Sequence, residues 1–473
     1  NTMYSLRPGT EVIDYFIPAS SRYGVIRDPA GTKYPHVFPD QDLSMFNFFE
    51  AASIRKIGNK YVWVYSGYSG PDYGLSSTNS ALRYAYGDTP LGPWKSGGVL
   101  VDSRAVVQGQ DGTTLQTVYS GHNTHGSIEL INDQWYAFYH RAPRGFGNAR
   151  QPMVAPVTIK WDEKPVADGG KVTIRAYNPY SENKIWTAKD SQGREYTGAE
   201  VTSEGFQIYG LDPYQYYSAG YACYLSNINS QQDSWDIWDN NMPIANVENG
   251  NIIGYKYFGF GGLDNDKKGL KAFEGTKPGN NTAFNLFLTP KAKNAFKVNV
   301  WLDGPWDNDT WKGKKIGEIS VPANAKQEIT QFTVDVSAFV DHLDKKNAIF
   351  LVAESTEPGG LFDLIGLGFS SNTKKIVRPI APTVSIKVNN VAIELPPTPV
   401  RSTNANGITG YNLYETTYKL PPNVTGIPTL TASASNPEVK VSVTQAESRT
   451  GAAQVRFNYK GIVKTYRVVL STE

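Results

Sequence analysis

Apolar residues in this chain recur at every second position, in short runs, and almost nowhere at every third or fourth. Successive side chains of a β-strand point to opposite faces, so this alternation marks half-buried strands and argues against amphipathic helices. YVWVYSG (residues 61–67), SALRYAYG (80–87), GSIELI (126–131), QWYAFYHR (134–141), MVAPVTIKW (153–161) and KVTIRAY (171–177) all carry it. Gly, Pro, Asn and Asp separate the runs, and 44 Gly and 29 Pro supply the turns. The pattern predicts an all-β chain built from short hairpins.

A length of 473 residues allows two to four domains. The first strand-rich region ends near Asn178-Pro179, which sets a domain at 1–178. A second set of runs (TAFNLFL, KVNVWLDG, KIGEISV, QFTVDVS and AIFLVAES) falls within 179–370 and suits one β-sandwich. Residues 371–382 are rich in Lys, Arg and Pro and read as a linker. Residues 383–473 alternate again and have the length of an immunoglobulin-like β-sandwich.

Composition narrows the function classes. Charged residues make up 19% of the chain and the formal net charge is +2, which is no electrostatic footprint for nucleic acid or an anionic membrane. No apolar run is long enough to span a bilayer. The single cysteine, Cys223, excludes an internal disulfide. The 29 Tyr and 10 Trp are compatible with an ordinary β core and equally with a protein that handles sugars. The first residues, NTMYSLRPGT, carry no charged-then-apolar leader and no initiator Met, so the expectation is a processed chain or one cut from something longer.

One carboxylate stands in an unusual place. In FFEAASIRKIGNKYVWVYSG (48–67), Glu50 follows two phenylalanines at a strand end, ahead of a tight turn at Gly58-Asn59-Lys60. Such a Glu is partly desolvated, which favours the protonated form that a general acid needs; a Glu that caps a turn is the plainer reading. Two further stretches accompany it, GHNTHGSI (121–128) and NARQPMVAPVTI (148–159), with GDTPLGPWKSGGVLVD between the first and second.

Together these stretches resemble glycoside hydrolase family 43, the five-bladed β-propeller enzymes that remove arabinose, xylose or galactose from plant polysaccharides. Its segments match in order at residues 48–66, 84–94, 123–127, 135–141 and 150, and the likeness covers about residues 1–178. The resemblance implies Glu50 as general acid. It places His125 on the propeller axis, where it helps to hold a calcium ion or a water cluster, although calcium prefers oxygen ligands. It puts Arg150 against the sugar, with Phe49 beside it as a substrate contact. Bland alternatives remain: His125 as a buried histidine bonded to backbone, and Arg150 as a surface ion pair. No organic cofactor is implied.

The resemblance also implies an inverting mechanism, which needs a second carboxylate as base about 6.5–9.5 Å from the acid. In the family, that base and a further Asp lie on the first two blades, and a blade takes roughly 40–50 residues. Only 49 residues precede Glu50. Asp14, Asp28, Asp40 and Asp42 are candidates by type, but Asp28 stands only 22 positions before Glu50 and the last two are closer still. The expectation is therefore a partial propeller, completed by a companion polypeptide that carries the N-terminal blades and both Asp residues. A truncated, inactive chain is the alternative.

Residues 179–370 resemble a family 6 carbohydrate-binding module, through TAFNLFLTPKAKNAFKVNVWLDGPW, KKIGEISVP, QFTVDVSAFV and FLVAESTEPGGLFDLIGLGF. Trp306 and Trp311, in the Asp-rich loop WLDGPWDNDTWKG, are candidates for stacking on sugar rings or for folding back as structure. The combined expectation is an exo-acting glycosidase subunit that removes arabinofuranosyl or xylosyl units from plant polysaccharide or oligosaccharide. A non-catalytic carbohydrate-binding protein on a decayed propeller and an endo-arabinanase are the alternatives. The multi-module layout suggests a secreted or surface bacterial protein.

Overall fold

The computed structural model describes residues 2–6, 13–18 and 46–176, the last without 70–75, 91, 105, 109–114, 118–123, 132 and 142–150. It further describes 185–189, 195–199, 210–226, 238, 242–260, 281–307, 312–343, 346–397, 399–403 and 409–472. The chain is all-β, as its alternation predicts: among these residues the helical pieces are short 3₁₀ turns. No helix of the described residues is long and apolar enough to cross a membrane.

The chain divides into two compact units, residues 1–231 with 244–376, and residues 232–243 with 377–473. In the first, β1 (Thr2–Leu6) and β2 (Ile13–Pro18) form a hairpin. Two antiparallel four-stranded meanders follow, each the unit of a propeller blade. The first runs β3 (Phe48–Ile57), β4 (Lys60–Ser69), β5 (Thr78–Gly87) and β6 (Lys95–Asp102). Two short paired strands, β7 (Val106–Gln108) and β8 (Leu115–Thr117), lead to the second. It runs β9 (Gly126–Ile131), β10 (Gln134–Arg141), β11 (Gln151–Trp161) and β12 (Val172–Ala176).

Both faces of the inner strands of the first meander are buried, and β4 shows how period 2 achieves it. Val62 and Val64 point into one core, with Leu82, Tyr84, Ile128, Ala137, Met153 and Val157, which joins the two meanders. Trp63 and Tyr65 point the other way, into an aromatic cluster with Phe46, Phe48 and Trp94. Trp63, Val62, Val64 and Tyr65 are each 0% exposed, so every side chain of this segment contributes to burial.

A third hairpin, β13 (Ile185–Lys189) with β14 (Glu195–Ala199), precedes a sandwich. One of its sheets pairs β15 (Tyr217–Ser218), β24 (Phe362–Ser370), β19 (Ala283–Pro290) and β22 (Thr330–Asp335) in that order, with β17 (Ile244–Val247) also on β24. The other runs β16 (Tyr224–Leu225), β18 (Ile252–Gly259), β23 (Lys346–Glu354), β20 (Phe296–Leu302) and β21 (Lys314–Val321). Phe258, Phe260, Phe284, Phe350 and Phe369 lie in the core between them. The blades and the sandwich fall in one unit, and buried side chains tie them together. Cys223 packs in the core of the meanders, and the buried Arg141 at the end of β10 donates to the carbonyls of Ala222 and Cys223.

The second unit is a smaller sandwich. One sheet runs β26 (Val391–Ala392), β25 (Val384–Val388) and β29 (Leu430–Ala434). The other runs β27 (Val400–Thr403), β28 (Thr409–Lys419), β32 (Ile462–Ser471), β31 (Ala452–Tyr459) and β30 (Lys440–Thr444), with β28 and β32 parallel. The unit begins at Val377, inside the stretch expected as a linker, and it includes residues 232–243 from mid-chain, which sequence alone did not assign to it.

Candidate active site

Glu50 lies where β3 breaks its register. Phe48 pairs with Gly67, Glu50 with Ser66 and Ser53 with Val64, with an irregularity on either side of Glu50. Ala51 takes φ +56°, a conformation that non-glycine residues seldom adopt. Bulges re-aim side chains and gather near active sites. Here the break leaves Phe48 in the aromatic cluster while the Glu50 side chain is 24% exposed. The approach of β3 to β4 depends on Gly67: a Cβ there would lie 2.7 Å from both the Asn47 carbonyl oxygen and Arg83 Cδ. Phe49 is half-buried, with its ring edge-on to Tyr68 at 5.6 Å.

The partner of Glu50 comes from 75 residues away. His125 Nε2 lies 2.6 Å from Glu50 Oε1. Three contacts hold His125 there. The backbone N–H of His125 donates to His140 Nε2 at 3.0 Å. The preceding Thr124 is fully buried, and its hydroxyl bonds to Ser103. The following Gly126 lets β9 close on β10, since a Cβ there would stand 2.0 Å from the Phe138 carbonyl oxygen. The His-Gly-Ser run is thus a histidine for Glu50 followed by the glycine that allows it to come near.

A buried ion pair supports this end of the first blade. The Arg104 guanidinium grips Asp102 through Nη2–Oδ2 at 2.7 Å and Nε–Oδ1 at 3.0 Å. Ser69 donates to Asp102 at 2.6 Å, and Arg104 donates to the Ser76 carbonyl at 2.8 Å. Both charges are nearly excluded from water, 3% and 4% exposed, so satisfaction on all sides is what makes them tolerable. Ser103 sits between them in sequence, which links the ion pair to Thr124 and His125.

A carboxyl and an imidazole at this distance hold one proton between them. With the His125 proton on Nδ1, Nε2 accepts and Glu50 carries the acidic hydrogen; with His125 protonated on both nitrogens, the carboxylate accepts. In the first arrangement the partly exposed carboxyl carries the transferable proton, and in the second the imidazolium beside it does.

The other expected site residues fall as follows. Arg150 and Trp311 lie outside the described residues, as do Asp28, Asp40 and Asp42. Asp14 lies in β2, whose backbone alone is described. Trp306 is half-buried and packs on the sandwich core. Calcium prefers oxygen ligands, and His125 offers a ring nitrogen. Its Nε2 lies against Glu50, and among the described residues there is no group of three His, Cys, Asp or Glu that could hold a metal ion. Sequence reading missed His140, Asp102 and Arg104. Only the place of His140 within the strongly alternating run QWYAFYHR gave a signal.

No family model matches the chain. It is similar to a protein named xylosidase/arabinosidase from Thermoclostridium stercorarium, 26% identical over 318 residues, which are 64% of this chain and 52% of that protein. The chain thus spans about half the length of this curated relative. Among solved structures it is similar to a glycoside hydrolase family 43 arabinoxylan arabinofuranohydrolase from Bacillus subtilis in complex with cellotetraose, at 19% identity and TM-score 0.34, covering 70% of this chain and 55% of that one. It is also similar to a family 43 β-xylosidase/α-arabinofuranosidase from a compost metagenome, in complex with xylotriose and in calcium-free form. That match has 29% identity and TM-score 0.18, with 28% and 31% covered. At these TM-scores neither structure adds to the fold described above.

Proposed function

We propose that this chain is the acid-bearing part of an inverting, exo-acting glycoside hydrolase that removes α-L-arabinofuranosyl or β-D-xylosyl units from plant polysaccharide or oligosaccharide. The observation that carries the reading is Glu50, at a break in the register of a strand, with its partly exposed carboxyl 2.6 Å from His125 Nε2. The curated relative's name, xylosidase/arabinosidase, supports the substrate class.

In this reading Glu50 donates its proton to the glycosidic oxygen as the bond from that oxygen to the anomeric carbon breaks. A second carboxylate takes a proton from the water that attacks the same carbon from the opposite face. His125 holds the Glu50 carboxyl in one orientation and shares the proton that replaces the one given up. The base comes from outside the described residues, on the blades of a preceding segment or a companion chain. Arg150 contacts the bound sugar and Phe49 borders it. A polymeric substrate places the working protein at the cell surface or in the medium.

The test is Glu50→Gln in the full-length protein, which keeps the shape and removes the acid. Hydrolysis of an aryl arabinofuranoside with a poor leaving group is expected to fall by about 10²–10⁴-fold, with binding of the sugar retained. Unchanged turnover would remove Glu50 from the mechanism.

A further inference from the structure

We infer that His140 is a positioning residue for the acid, acting on Glu50 through the main chain of His125; the inference rests on the reading of Glu50 given above. The β9–β10 ladder ends at the pair Gly126 and Tyr139. The next pair would be His125 with His140, and there the bond runs from the His125 backbone N–H to the His140 ring instead of to a main-chain carbonyl. The ring thus extends the ladder by one residue, at the position where a strand end would otherwise fray. That residue carries the imidazole that meets Glu50.

His140 is itself firmly placed. It pairs with Pro152 on β11, and its neighbour Arg141 is fully buried and bonded to Gln151, Ala222 and Cys223. The two imidazoles meet edge to face with centroids 5.5 Å apart. A ring nitrogen that accepts a hydrogen bond carries no proton, so His140 is neutral with its hydrogen on Nδ1. His140 acts on the site through the main chain of His125. It sets the backbone of His125, hence the direction of that ring and the rotamer of Glu50.

The chemistry suggests a pair of variants. Gln carries its amide oxygen as many bonds from Cα as histidine carries Nε2, so His140→Gln keeps an acceptor in place, whereas His140→Leu fills the space without one. Full-length protein is assayed on two aryl arabinofuranosides, one with a methoxyphenyl leaving group that needs protonation and one with a dinitrophenyl group that does not. For His140→Leu, kcat on the methoxyphenyl substrate is expected to fall about 10–100-fold with KM within about twofold, while the dinitrophenyl substrate turns over near the wild-type rate. His140→Gln is expected to restore most of the loss. A His140→Leu defect equal on both substrates, or no recovery with His140→Gln, overturns the inference.

Glu50→Gln run alongside separates the two claims. If it shows no dependence on the leaving group, the acid reading itself fails; if it does and His140→Leu does not, only the role of His140 fails. Should His140→Leu not fold, ¹⁵N spectra of histidine-labelled wild-type protein decide the matter. An unprotonated His140 Nε2 coupled across the hydrogen bond to the His125 amide nitrogen supports the inference, and a protonated Nε2 overturns it.

Discussion

Tyr65 shows how much one position on β4 carries. Its ring lies in the aromatic cluster and its hydroxyl donates to the Phe46 carbonyl at 2.8 Å, which fixes the chain just before Glu50. Burial pushes its phenol up to about 12 from the ordinary 10.0, against a smaller opposing pull from Arg83. The folded state therefore favours the neutral phenol. The stability this contributes is present below the unfolded value of 10.0 and is lost as pH rises through about 12. Urea midpoints are expected to hold up to about pH 10 and then to fall, and Tyr65→Phe to flatten that fall while costing about 1 kcal/mol at neutral pH through the lost hydrogen bond. A fall of the same steepness in the variant would assign the alkaline limb to other groups. The sequence showed an aromatic at this position and the alternation that buries it. The carbonyl it would reach, 19 residues away, was not visible.

At the scale of elements, the two blades are fastened by a turn and a buried lysine. The two-residue loop Gly58-Asn59 joins β3 to β4 with Gly58 at φ +57°, and Trp161 lies so close that a Cβ on Gly58 would stand 2.3 Å from its indole nitrogen. Asn59 donates to the Glu163 carbonyl at 2.6 Å. Beside it Lys60, 1% exposed, donates to Asp88 at 2.7 Å and to the Lys164 carbonyl at 2.7 Å, while Asp88 also accepts from the Val166 N–H. Removing one member of a buried pair strands the other charge. Asp88 is 35% exposed, so the effect is discounted, and Asp88→Ala is expected to cost about 2–3 kcal/mol in urea unfolding. Adding Lys60→Met to Asp88→Ala is expected to recover part of that loss; a double variant less stable than Asp88→Ala would contradict the account. The turn itself was legible, because Gly-Asn between two alternating runs is a strong local signal. Its docking on the β11–β12 loop, over a hundred residues later, was not.

For the whole molecule, the partition into units follows side chains more than chain order. Trp238 lies in residues 232–243, amid the chain of the first unit, yet it fills the core of the second. It is 8% exposed, donates from Nε1 to the Ile462 carbonyl at 3.1 Å, packs against Phe457 and Tyr459, and carries the buried Lys464 ammonium 4.2 Å from its ring. Trp238→Ala is expected to cost about 3–5 kcal/mol. Calorimetry is expected to show the transition of the second unit lowered by about 10 °C or more, with that of the first unit unmoved. A shift of both transitions would mean that the units unfold together.

What the sequence determined by itself was the all-β class, the strand runs and the tight turns. Those rest on a period of two and on glycine's freedom at positive φ, both properties of residues close together in the chain. It also drew attention to Glu50, because an acid after two phenylalanines at a strand end is chemically conspicuous, whereas His125 stood out only through the family resemblance. Only the tertiary structure decided that these two residues share a proton, that His140 caps the ladder behind them, that Asp102 and Arg104 form a buried pair, and that Trp238 belongs to the second sandwich. The Glu50–His125 and Trp238 contacts bring together strands distant in sequence, and the local Asp102–Arg104 pair is completed by Ser69 and Ser76 from an earlier strand and loop. Alternation specifies which face a residue takes, but not which partner that face will meet.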